Sequence, residues 1–120
     1  MLILSISIFG VSGILCRYSI DMLLKNLNQD FPYSTLLVNI VGCFILSYVC
    51  NMNQNKLPPI ISQGLIVGFC GGFTTFSSFS LQILSAYHQD LHFKAILYLF
   101  ASVTLGLSAC LLGYKLANYN

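Results

Sequence analysis

The sequence predicts an all-α membrane protein of four transmembrane helices with the third helix broken near its middle, and three observations carry that expectation. Of the 120 residues, 57% are hydrophobic and 7% charged, where soluble domains carry about 25% charged residues. Apolar runs at residues 2–24, 34–51, 60–87 and 93–116 each come close to the roughly 20 helical residues that cross a hydrocarbon core of about 30 Å. The third run contains Gly71-Gly72-Phe73-Thr74-Thr75-Phe76-Ser77-Ser78-Phe79-Ser80. Its glycine pair and two β-branched threonines weaken helix, which a bilayer tolerates only where protein or water satisfies the freed backbone groups. Residues 1–120 therefore read as a single transmembrane domain, with membrane lipid around it.

The charges exclude other classes. Five basic and three acidic residues are scattered along the chain without a basic patch, so nucleic acid is not an expected partner. Cys16, Cys43, Cys50, Cys70 and Cys110 are odd in number and lack zinc or disulfide spacing, and read as small apolar packing residues. The first run has no basic leader or small-residue cleavage site and reads as a retained span. Without a nucleophile–base pair or metal cluster, the chain is not expected to be an enzyme.

In the first span, Gly10, Ser12 and Gly13 allow close helix approach. Arg17 lies well inside it, where a basic residue costs about 2.5–3.5 kcal/mol at the helix centre. It either snorkels to the interface or shares its charge with Asp21 one turn on. In the second span, Asn39 and Gly42 form a small-plus-polar face, fit either for helix adhesion or for a polar conduit. Pro58-Pro59 opens the third span. As one straight helix, residues 60–87 would extend about 42 Å, an excess that a break near Gly71 absorbs. Gly64 and Gly68 ahead of it make a GxxxG packing face. His88 and His92 flank Asp90 in a turn and are not expected to bind metal. In the fourth span Ser102, Gly106, Ala109 and Gly113 repeat at helical spacing as a packing stripe, to which Tyr98 and Ser102 add hydroxyls.

Four spans put Lys56 and Lys115 on one side and Lys25 and Lys94 on the other, which leaves the positive-inside rule nothing to act on. Both orientations should insert, and an antiparallel dual-topology homodimer becomes available. A broken helix frees backbone carbonyls, good ligands for a hard cation. Gly71 and Thr74 are the natural donors, and two carbonyls from each chain would hold a small monovalent ion. Past the break, Phe76 and Phe79 share a face with Ser77 and Ser78 beside them; they are either core aromatics with back-bonding serines or the lining of a pathway. Phe73, before the break, is expected to tolerate replacement by Ile better than Phe76 or Phe79.

The decapeptide GGFTTFSSFS closely resembles the GG-x-TTFSTFS signature of the Fluc (CrcB-like) fluoride channels. FGVSGILCRY resembles that family's Gly-rich segment ending in Arg-Tyr, and LLVNIVGCF its second-span motif around an Asn. The resemblance implies an antiparallel dimer in a bacterial cell membrane, passive fluoride export that lowers fluoride toxicity, and a structural sodium ion held by the carbonyls of Gly71 and Thr74. It also implies a fluoride pathway along Asn39, Phe76, Phe79, Ser77, Ser78, Tyr98 and Ser102, with Arg17 as a structural or vestibule charge. The chain departs from the family pattern at Ser78, where Thr is usual, and at Gln82, where many members carry Glu. The alternatives are a small dual-topology cation or drug exporter, which would want an intramembrane carboxylate in a chain with no Glu, and a non-transporting assembly subunit, which would leave the Phe/Ser stretch unexplained.

Overall fold

The computed structural model describes residues 1–52 and 56–119. Its helices are α1 (Leu2–Leu23), α2 (Tyr33–Asn51), α3 (residues 59–73), α4 (Phe76–His88) and α5 (His92–Tyr119). α3 and α4 form the third span, Pro59–His88, and the four spans are each long and apolar enough to cross a membrane. The turn expected over residues 51–59 falls partly on residues 53–55, outside the described residues.

Local chemistry sets the ends. Extended Pro58 and Pro59 at the first helical turn start α3. α4 ends in a left-handed Asp90, φ 59°, with the Leu91 N–H reaching back to the Ala86 carbonyl at 2.9 Å, a closure that usually employs Gly or Asn. One feature differs from expectation: Gly64–Cys70 within α3 is π-helical. Its widened turns lie where α1 packs directly on the backbone, a tertiary contact that a local sequence pattern does not report.

Two seams hold the helices, α1 against α3 and α2 against α5. Lipid tails are as apolar as the side chains, so helices in a bilayer associate through close van der Waals contact and small residues. A Cβ on Gly13 would run into the Phe69 carbonyl, and one on Gly68 or Gly72 would stand 2.5 Å from the carbonyl of Ile6 or Gly10. The GxxxG face expected at Gly64 and Gly68 thus extends to Gly72. On the second seam a Cβ on Gly113 would stand 2.6 Å from the Phe44 carbonyl, and the Ser47 hydroxyl donates to the Cys110 carbonyl at 2.7 Å. The outer face of α1, with Ile3, Leu15 and Leu23 exposed, suits lipid.

Candidate ion pathway

The third span breaks at Thr74 (φ −85°, ψ 160°) and Thr75 (φ −151°, ψ 118°), both extended. In a continuous helix the Thr75 N–H would donate to the Gly71 carbonyl. Here it donates to Asn39 Oδ1 at 2.8 Å, while Asn39 Nδ2 donates to the Thr75 carbonyl at 3.1 Å. One amide from α2 therefore takes over both backbone groups of the break residue and releases the Gly71 carbonyl from its helical donor. Thr75 Oγ1 caps α4 by accepting the Ser78 N–H at 3.2 Å. Arg17 reaches across from α1, its Nη1 donating to the Thr74 carbonyl at 3.1 Å. Gly42 makes room for this arrangement, since a Cβ there would collide with Thr74 Cγ2.

Arg17 thus follows neither route read from the sequence. It turns to the break, and the Asp21 carboxylate accepts instead from the Ser34 hydroxyl at 2.6 Å and from Asn28 Nδ2 at 3.1 Å. A guanidinium inside a span needs a polar partner, and the Thr74 carbonyl supplies it.

Of the residues assigned to the pathway or the ion from the sequence, Asn39, Gly71, Thr74, Phe76, Phe79 and Ser102 line one cavity of about 430 Å³ between α2, α3, α4 and α5. Phe76 is 79% exposed and Phe79 9% exposed, with ring centroids 5.8 Å apart. Ser102 Oγ is buried and has no hydrogen-bond partner among the described residues, which is costly unless something else meets it. Gly71 faces open space, with nothing within 4 Å of a Cβ built there.

Tyr98 lies behind Phe79, edge to face at 5.2 Å, and is 2% exposed. Its hydroxyl donates to Gln82 Oε1 at 2.9 Å, and Gln82 Nε2 donates to Thr35 Oγ1 at 2.9 Å. The Tyr98 proton is therefore engaged, and the second Gln82 amide hydrogen is the donor left over in this run of hydrogen bonds. Ser78 lines a separate cleft with Arg17 and Gln82. Ser77 is exposed beside Thr75, Oγ to Oγ1 3.3 Å, and lines neither space. Sequence reasoning passed over Thr35, although it lies one turn before Asn39 on the same face of α2. Phe73 is 4% exposed and stacks on Phe69 at 5.2 Å, with its Cδ1 3.5 Å from a Cβ built on Gly42 of α2, so it is a packing residue.

The family profile described as "CrcB-like protein, Camphor Resistance (CrcB)" matches residues 4–114. The chain belongs to the CrcB-like family. Its relatives include fluoride-specific ion channel FluC 2 of Listeria monocytogenes serotype 4b, 34% identical over 98% of this chain and 92% of the relative. FluC 1 of Bacillus cereus is 36% identical over 95% and 85%, and FluC of Prosthecochloris aestuarii 37% over 90% and 86%. This CrcB-like chain is thus a multi-pass membrane protein of a channel family, and not an enzyme. The match covers the break, the Asn39 clamp and the Arg17 contact together.

Proposed function

We propose that this protein is a fluoride-specific ion channel that lets fluoride leave the cell passively and lowers its toxicity. Full-length membership in a family whose relatives are fluoride-specific channels supports the activity. The observation that carries the site is the cavity beside the break, walled by Phe76 and Phe79 and bordered by the polar Asn39 and Thr75. A small, strongly hydrated anion needs hydrogen-bond donors to replace water, and aromatic ring edges are electropositive. Asn39, Phe76, Phe79 and Ser102 border this space, and Ser78 with the Gln82–Thr35 pair borders the approach from the cleft. Tyr98 holds Phe79 and Gln82 in place, and Ser77 stands at the outer edge of the break.

The working unit is an antiparallel homodimer embedded in lipid. A single chain leaves the Gly71 side of the break open, and a second copy of opposite orientation closes it around a two-fold axis. The Gly71 carbonyl, freed by Asn39, and the remaining lone pair of the Thr74 carbonyl fit a structural sodium ion, a hard cation whose hydration shell carbonyl oxygens can replace. No cluster of three His, Cys, Asp or Glu side chains is found among the described residues, so backbone oxygens are the donors at hand. The ion would supply positive charge that ties the two breaks together.

An exporter of cations is not favoured, because Asp21, the carboxylate within a span, is already engaged by Ser34 and Asn28. Purified protein in liposomes decides the matter: fluoride-loaded vesicles are expected to release fluoride, and chloride-loaded ones to keep chloride. Release of both anions, or of neither, would remove the proposal.

A further inference from the structure

A second space in the molecule carries charge of both signs. This cleft, about 240 Å³, lies between α1, the start of α2 and the first turns of α4, and is lined by Arg17, Asp21, Thr35, Thr75, Ser78 and Gln82 among others. Asp21 stands two residues before the end of α1 and is exposed, whereas Arg17 stands one turn deeper and half-buried, its guanidinium on the Thr74 carbonyl. Along the cleft, the carboxylate therefore comes first and the guanidinium second. The two are the charged side chains of the lining. They do not neutralise each other directly, because Asp21 is held by the Ser34 hydroxyl and the Asn28 amide, and Asn28 Oδ1 in turn accepts the Ser34 N–H at 3.0 Å. This closed set of bonds fixes a negative charge at the mouth and keeps it from folding inward onto Arg17.

We infer that Asp21 is an electrostatic throttle on anions entering the cleft, setting how strongly the deeper Arg17 charge draws them in. The inference rests on the proposed channel function for its physiological meaning, but the field itself is measurable without conduction. Residues four apart on a helix have Cβ atoms about 5–6 Å apart, well inside the Debye length of about 10 Å at 0.1 M salt. A charge fixed at the mouth of a low-dielectric cleft changes local anion concentration, and the effect fades as salt rises.

Asp21→Asn is the decisive variant, since an amide oxygen still accepts from Ser34 and Asn28 while the charge is gone. Two readouts separate this inference from the channel proposal. The first uses Tyr18, an exposed residue of the same cleft. In a background with the exposed Cys16→Ser and Cys50→Ser changes, Tyr18→Cys is labelled with an anionic and with a neutral thiol reagent. Asp21→Asn is expected to raise the anionic-to-neutral rate ratio about two- to fivefold at 20 mM ionic strength, a gap that closes near 1 M as the Debye length falls to about 3 Å. The second is fluoride efflux at fixed low sodium and varied impermeant salt. Asp21→Asn should speed efflux at low ionic strength and match wild type at high.

An unchanged reagent ratio in Asp21→Asn, or a change that persists at 1 M salt, overturns the throttle. A shifted ratio in a protein that conducts no fluoride leaves the throttle standing and removes the channel proposal instead.

Discussion

The two sides of the break in the third span are built on opposite terms. On the α1 side, backbone meets backbone: Gly13 lies under the Phe69 carbonyl and Gly72 under that of Gly10, and an added methyl has nowhere to go. On the other side, Gly71 looks into open space and the cavity walls include Phe76 and Phe79. The same short segment is thus pinned on one face and left unfinished on the other. A broken helix in a bilayer needs both: rigid support to stay broken, and an exposed polar face on which the break can act. Glycine serves opposite purposes on the two faces, contact at residue 13 and clearance at residue 71.

Removing the clamp should produce the largest effect. Asn39→Ala strips both Thr75 backbone groups of their partner, and each buried group left unsatisfied costs about 1–3 kcal/mol. Efflux is expected to fall at least tenfold with a lower melting temperature in detergent; Asn39→Asp, which keeps the acceptor but sets a carboxylate against the Thr75 carbonyl, should do no better. Wild-type efflux from either variant would show that the break holds without α2.

The next test sets the two glycines against each other. Gly13→Ala overpacks a backbone contact and should destabilise the fold by about 1–3 kcal/mol. Gly71→Ala should leave the single chain as stable or, by helix propensity, up to about 1 kcal/mol more so, while impairing sodium dependence and dimer formation if a second copy closes on that face. Thermal unfolding followed by size-exclusion chromatography distinguishes the two. A Gly71→Ala protein that dimerises and conducts like wild type would mean that the open face is lipid-covered.

The smallest expected change comes from the ring edges. Phe76→Ile and Phe79→Ile keep most of the bulk and lose the electropositive ring edge, so fluoride efflux should slow about two- to tenfold with the dimer intact. Phe73→Ile is not a neutral control for this comparison. Its ring is buried, stacked on Phe69 and set against Gly42, and the cost should appear in unfolding. Equal efflux from both pathway variants and wild type would return those rings to packing.

Much of this architecture was legible because it is written locally. Composition and run length mark the spans, and Gly-Gly-x-Thr-Thr marks the break within a few residues of Thr74. The motif also carried the family. What was illegible depends on which helix lies beside which. Arg17 and Thr74 are far apart in sequence, and nothing near Arg17 favours a carbonyl on another span over Asp21 one turn away. Asn39 was visible as a polar residue in a span, but its role as a two-pronged clamp requires knowing that Thr75 faces it. The π-helical turns of Gly64–Cys70 and the Gln82–Thr35 bond belong to the same class, since each exists through a neighbour that the local pattern does not name.

The pairing of helices also bears on how the chain is put together. The tightest seams join the first span to the third and the second to the fourth, so the main partner of each early helix is made only after another has intervened. A growing chain emerges from its N-terminus, and helices first inserted singly associate afterwards. When α1 and α2 enter the bilayer, the glycine face of α1 and the Gly42 notch of α2 have no matching surface and sit against lipid. α3 then gives α1 its seat, and α5 closes on α2 last. The break can acquire its Arg17 and Asn39 contacts only once both of these earlier helices have waited in place, which makes the late spans, and not the first hairpin, the point at which the molecule commits to its shape.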